Sequence, residues 1–478
     1  MIAALLLLIP FIAATLLVVL RPTQHAKTVA MVSSLASLGV VLFAWASYTG
    51  VPVTEVDRDW APAWGLRFVM GYDGVSLLML ILTGVVFPFI IGAGYGEKLQ
   101  HPSLVNALLL YTQTFLFGVF LAQNALLFYI FYEMSLIPVF FFLLYWGGEH
   151  RRAITVRFFI YTLLGGLSLL FGIIYCISQG TGMNGDFSAL QALNFPVDTQ
   201  IWLFWALFLA FAIKLPIFPF HSWQPDTYSM APTQGTMVLA AVMLKMGLYG
   251  VLKLVFPIVP EGVVYWRETV IVLSLIGAVY AGVIAFRQWD MKRLIAYSSL
   301  SHVGVLCAGL FAWNTYGITG SFYQAFAHAV LVISLLYMAA ALKERVGSSE
   351  MGAMGGLKVR MPRLAALFLL VVVNAVALPL TQSFVGEWLM FAGLWQVNGW
   401  LALFAVSTIV LGAIYMLYAY QRVMLGPDKW QLDMPDASTR DHLFLVPLIA
   451  ITLVLGVYPE PILRLVDGPV QLLLSSLP

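Results

Sequence analysis

Charge is what this chain lacks. Only 10% of its 478 residues are Asp, Glu, Lys or Arg, against 61% hydrophobic. A soluble domain carries roughly 25% charged residues, so a soluble fold is excluded and a polytopic helical membrane protein is implied. Basic blocks are also missing. The 24 Lys and Arg balance 22 Asp and Glu to a net charge of +2, which leaves no polybasic patch for nucleic acid or anionic lipid. The two cysteines, Cys176 and Cys307, lie far apart in apolar runs, whereas an iron–sulfur cluster takes about four closely spaced thiolates. The N-terminal run MIAALLLLIPFIAATLLVVL has no positive leader and reads as an uncleaved span. There is no P-loop, nucleophile elbow or HExxH. Gly180-Thr181-Gly182-Met183-Asn184-Gly185 matches G-x-G-x-x-G, but it follows a membrane segment and opens no βαβ unit, so it reads as a loop.

Long apolar runs are what the chain has. About twenty residues per span predict an all-α polytopic protein with about fourteen transmembrane helices, near 2–20, 28–48, 73–95, 104–122, 125–146, 156–178, 200–222, 232–255, 268–286, 292–313, 319–342, 363–394, 400–424 and 442–463. The longest connections (49–72, 179–199, 343–362, 425–441) are too short for an extramembrane domain. About 17 Lys and Arg, Lys98 and Lys429 among them, fall in odd-numbered connections, against about five (Arg58, Arg67, Lys253, Arg267, Arg464) in the others. That bias puts both termini on the non-cytoplasmic side.

Two spans carry breaks. Lys214-Leu215-Pro216 with Pro219 interrupts the seventh, and Ala377-Leu378-Pro379 the twelfth. They stand five spans apart, an odd number, so a repeated five-helix unit is inverted across the membrane. The predicted division is 1–103 for N-terminal helices 1–3, 104–255 and 256–424 for the two inverted repeats, and 425–478 for helix 14.

Only Lys214 and Lys245 among the basic residues fall mid-way along apolar spans. An ammonium there costs roughly 2.5–3.5 kcal/mol on insertion scales, so it pairs with an acid or faces a wet cavity. Glu133 and Glu387 are equally deep carboxylates. Glu133 and Lys214 suit a switchable pair, with Pro138 freeing the carbonyl of Met134 beside the glutamate. Lys245 is too deep to snorkel and suits a relay. His302 has Ser298 and Ser299 on its own helix face, His328 has Gln324, and imidazole beside such groups carries protons near neutrality. His221, two turns beyond Lys214, extends the line. Neither His302 nor His328 has a partner at metal-ligand spacing, so no metal site is expected. The bland alternatives are static ion pairs, satisfied histidines and ordinary proline kinks.

Four stretches resemble the antiporter-like membrane subunits of respiratory complex I: NALLFYIFYEMSLIPVFFFLLYWGG, KLPIFPFHSWQPDTYSMAPT, DMKRLIAYSSLSHVG, and GGLKVRMPRLAALF with ALPLTQSFVGEW. The glutamate in SFVGEW is similar to the M branch, since the L and N branches usually carry lysine there. The resemblance implies a proton-translocating subunit of NADH:quinone oxidoreductase. It assigns Glu133 and Lys214 to the family's ion pair and Lys245 to its central relay lysine. His302 and His328 fall to the connecting polar axis, and Glu387 to the terminal acid. It implies no cofactor on this chain, with flavin, iron–sulfur clusters and quinone on partner subunits, and membrane neighbours of the L and N type. Tyr228 and Met230 depart from the family's usual histidine and acid in the segment after the break, and Arg157 stands where many relatives have lysine. The rivals are a subunit of a multisubunit Na⁺/H⁺ antiporter or membrane-bound hydrogenase, a stand-alone secondary transporter, and a scaffold without an ion path.

Overall fold

The computed structural model describes residues 1–475 except 23, 65, 95–98, 181–182 and 429–433. Lys98 and Lys429 of the charge count, and Thr181 and Gly182 of the glycine motif, lie outside the described residues. In lipid every backbone polar group must be satisfied internally, and a chain this apolar meets that demand with helices. Among the described residues, thirteen helices are long and apolar enough to cross a membrane. They are α1 (Ile2–Leu20), α2 (Ala26–Ser47), α3 (Gly74–Ala93), α4 (Pro102–Leu121), α5 (Ala125–Trp146), α6 (Arg151–Gln179), α7 (Val197–Lys214), α8 (Thr233–Ile258), α9 (Pro260–Phe286), α10 (Met291–Phe311), α11 (Thr315–Val346), α14 (Gly399–Leu425) and α15 (Thr439–Val457). The remaining expected span, the twelfth, is two shorter pieces, α12 (Pro362–Ala375) and α13 (Gln382–Val397). A final helix, α16 (Glu460–Ser475), follows.

The breaks have local causes. Between α12 and α13, Pro379 has no N–H to donate, and Ala377 and Leu380 adopt φ of 50° and 77°. The Leu378 carbonyl accepts both the Thr381 N–H at 3.1 Å and the Thr381 hydroxyl at 2.7 Å. The seventh span ends outright at Lys214 instead of running on to 222, because Pro216 cannot continue the ladder. In α5 the discontinuity falls at Ser135, whose hydroxyl donates to the Tyr132 carbonyl at 2.7 Å. α8 contains two π-helical stretches, Leu239–Met243 and Val251–Val255.

Two elements add to the helical plan. The connection at 49–72 is an antiparallel hairpin of β1 (Val53–Ala61) and β2 (Leu66–Tyr72), paired from Val53↔Tyr72 to Ala61↔Leu66. Arg67 holds it together, donating to Asp57 at 2.6 Å, Asp59 at 3.3 Å and Asp186. α16 is strongly amphipathic, burying Ile462, Leu465, Val466 and Val470.

The chain forms two compact units. The first holds Met1–Leu215, Met230–Thr269 and the segment from Arg464. In it the N-terminal ammonium reaches Glu55 of β1 at 2.6 Å. Leu465 of α16 presses on the start of α3 so closely that a Cβ on Gly74 would lie 1.9 Å from its carbonyl oxygen. The second holds Pro216–Ser229 and Val270–Leu463. There α11 and α13 approach through small residues: a Cβ on Gly386 would meet Gln324 at 2.5 Å, and one on Gly320 would meet Leu389 at 2.7 Å.

Candidate functional site

In the first unit, Glu133, Lys214 and Lys245 come from α5, the last residue of α7 and the middle of α8. Lys214 and Lys245 are each only 2% exposed. The Glu133 carboxylate rests in the notch left by the missing side chain of Gly166 on α6, where a Cβ would lie 1.9 Å from Oε1. Tyr132, one residue earlier, presents its ring to the Lys214 ammonium at 5.0 Å from the centroid. The expected ion pair is not closed: Glu133 Oε1 and Lys214 Nζ are both buried without a hydrogen-bond partner. They remain within electrostatic reach of one another.

Lys245 is anchored differently. Its Nζ donates to the carbonyl of Ala240 at 2.8 Å, five residues back and inside the first π stretch. π-bulges free carbonyls that an α-helix would occupy and occur often at functional sites. α7 and α8 close on one another where Gly250 leaves room for the Phe211 ring, 2.2 Å from a would-be Cβ. Phe211 belongs to a buried aromatic group with Phe128, Tyr132 and Tyr249, ring centroids 5.8–6.3 Å apart.

In the second unit, His302, His328 and Glu387 come together from α10, α11 and α13. His302 Nδ1 lies 3.2 Å from Glu387 Oε1, and Gln324 Nε2 donates to the same oxygen at 3.5 Å. The rings of His302 and His328 are 5.9 Å apart, and His328 is 1% exposed. His302 Nε2, Gln324 Oε1, Ser299 Oγ, Ser383 Oγ and Gln382 Oε1 are buried without partners. Ser298 is held by the Tyr415 hydroxyl at 3.1 Å. Buried polar atoms are almost always hydrogen-bonded, to protein or to water. Unpartnered buried atoms such as His302 Nε2 and Gln324 Oε1, on two side chains that share the Glu387 carboxylate, are therefore places for water. His221 takes another position in this unit, stacked on Phe218 and edge-on to Tyr280, each at 5.6 Å, with Nδ1 unpartnered.

Three polar groups went unnoticed in the sequence. Gln113 of α4 is fully buried with both amide atoms unpartnered; an amide inside the run LLLYTQTFLF was its signal. Lys253, expected in a connection, lies inside α8 and is ion-paired with Asp73, which caps α3 through the N–H of Ser76 at 2.9 Å. Its signal was the spacing Lys245, Tyr249, Lys253, which puts all three on one helix face.

A family profile described as "NADH:quinone oxidoreductase/Mrp antiporter, TM" matches residues 122–412. The chain is 36% identical over 474 residues to NADH-quinone oxidoreductase subunit M of Rhodobacter capsulatus, covering 95% of this chain and 91% of that one. It is 35% identical over 460 residues to the subunit of the same name from Rickettsia bellii (strain RML369-C), covering 94% and 92%. Its fold is similar to a chain in the structure of respiratory complex I from Thermus thermophilus with bound NADH, with TM-score 0.91 and 27% identity, covering 99% of this chain and 100% of that one. The profile spans more than half of the chain and the relatives nearly all of it, so this chain belongs to the transmembrane-subunit family of NADH:quinone oxidoreductases and Mrp antiporters.

Proposed function

We propose that the chain is the M-type, proton-translocating membrane subunit of an NADH:quinone oxidoreductase in a bacterial inner membrane, with both termini on the non-cytoplasmic side. Antiporter-like L and N subunits are its neighbours. Flavin, iron–sulfur clusters and quinone belong to partner subunits, and no redox chemistry occurs here. In the first unit Lys214 is the switchable group, biased by Glu133, and Lys245 is the relay. In the second, His302 and His328 carry protons and Glu387 is the terminal acid.

The observation that carries this reading is the His302–Glu387 contact at 3.2 Å, buried on membrane helices and backed by Gln324 and His328. An acid and a base in contact at that depth are costly to keep unless they are used. Moving one proton against about 150 mV costs ~3.5 kcal/mol, which pKa changes of about two to three units at buried sites supply.

The test is Lys245→Ala in the complex purified from native membranes. The complex should assemble and oxidise NADH while losing proton pumping. Undiminished pumping by an assembled complex would overturn the reading. Companion subunits typical of an antiporter or hydrogenase in the same preparation would move the chain to that branch.

A further inference from the structure

The first unit holds a cleft of about 810 Å³ at the end that carries the hairpin. Tyr48, Asp73, Gln200, Lys253, Glu261 and Gly468 are among its lining residues. Asp73 and Lys253 are ion-paired there with side chains 15% and 13% exposed, so the pair is neither free in water nor sealed in the core. Beneath it the polar line continues inward along α8. Tyr249, one turn before Lys253, lies with its ring centroid 5.7 Å from the Lys253 ammonium. Its fully buried hydroxyl shares a hydrogen bond with Ser76 at 2.9 Å and donates to the Phe120 carbonyl at 3.2 Å. One turn further in stands Lys245. At 1.5 Å per residue the three positions span roughly 12 Å of one helix face.

We propose that this cleft is an aqueous mouth through which the first unit exchanges protons with the hairpin side. The Asp73–Lys253 pair forms its floor, and the Tyr249–Ser76 bond is the gate to Lys245. This rests on the proton-translocating reading above. The ligand is water and its excess proton. The pair is electrically neutral and Glu261 adds a negative charge, so the cleft favours a cation over an anionic headgroup. The step balances simply. The Lys253 ammonium gives one proton to cleft water, and the neutral amine takes the hydroxyl proton of Tyr249. The phenolate so formed takes one from the Lys245 ammonium through intervening water, which leaves Lys245 neutral and one proton moved to the cleft. Rotation of Tyr249 away from the Phe120 carbonyl opens the gate, and its return closes it.

Two perturbations of the assembled complex in native membrane vesicles test this, with Lys245→Ala beside them. The first neutralises the pair jointly, Asp73→Asn with Lys253→Met, so that no buried charge is stranded and the Asn still caps α3. The second is Gly468→Cys, read before and after labelling from the hairpin side with a membrane-impermeant cationic methanethiosulfonate. A Cβ at Gly468 meets nothing within 4 Å, and Cys176 and Cys307 are buried. The proposal expects proton pumping per NADH to fall at least twofold in the double variant and at least twofold on labelling. Loss in the double variant without loss on labelling makes the pair structural and overturns the mouth. Unchanged pumping in both, with Lys245→Ala inactive, overturns the mouth alone. Retained pumping in Lys245→Ala overturns the underlying reading. If the double variant does not assemble, the labelling result decides.

Discussion

Gly166→Ala is the sharpest probe of the first unit. The added methyl would lie 1.9 Å from Glu133 Oε1 and 2.7 Å from its carboxyl carbon. Contacts under 3.0 Å are not tolerated, so the carboxylate must retreat by at least 1.1 Å (3.0 − 1.9). It ends a flexible side chain and moves cheaply. The helix itself gains up to about 1 kcal/mol from replacing glycine, so assembly should survive. The charge geometry does not. At an effective dielectric near 20, unit charges about 5 Å apart interact by ~3 kcal/mol and lose about 0.6 kcal/mol per ångström. That is nearly threefold in a rate, and misplacement of a reacting group by about 1 Å can cost ~100-fold. Gly165→Ala is the matched control. Its methyl meets Ala210 and Ile213 of α7 at 3.0 Å and leaves Glu133 alone. The assay is NADH-driven fluorescence quenching in inverted vesicles, normalised to assembled complex and NADH oxidation. Pumping should fall about 3- to 100-fold in Gly166→Ala and stay near wild type in Gly165→Ala. Equal pumping by the two variants would refute the reasoning.

Glu387→Gln removes the charged acceptor shared by His302 and Gln324. A charge-assisted hydrogen bond contributes about 1.5–3 kcal/mol, so NADH-driven pumping should drop at least about tenfold; a near-normal rate would count against the second cluster. Asp441→Ala strands Arg345, which donates to it at 2.6 Å with a side chain only 9% exposed. Such stranding costs about 3–5 kcal/mol, which a lowered unfolding temperature of the solubilised complex should report. Burial alone would raise the Asp436 carboxyl, but the backbone N–H groups of Leu364, Ala437 and Arg363, with the Arg363 charge, hold it below its usual range. A depressed carboxyl stabilises above its unfolded value near ~3.9 and loses that contribution as pH falls through the folded value. Amide protection at Arg363 and Leu364 should therefore persist at pH 5 and be lost progressively only as pH falls below the ordinary carboxyl value near ~3.9. Asp436→Asn should abolish that dependence.

The helical plan was legible because hydropathy averages over about twenty residues, and lipid tolerates few alternatives. Pro379 marked the broken span as plainly as any residue can. The same averaging hid α16, whose apolar face alternates with Asp467 and Arg464. It also hid the hairpin, where VTEVDRDWA reads as polar connection until Arg67 is seen binding Asp57, Asp59 and Asp186. The site was legible as residues and less so as contacts. Depth alone singled out Glu133, Lys214, Lys245 and Glu387. The open Glu133–Lys214 pair depends on the Gly166 notch, and the Lys245 anchor on a π stretch, neither of which leaves a mark in composition. Lys253 was missed because it stands two residues from the expected end of its span at 255 and was counted with the connection beyond, whereas α8 runs on to Ile258.

The most direct measurement is a structure of the assembled, turning-over complex at a resolution that shows ordered water. The account predicts water within about 2.6–3.2 Å of Lys214 Nζ, the Gln113 amide, His302 Nε2 and Gln324 Oε1. Aliphatic carbon packed against all four atoms in every turnover state would contradict it.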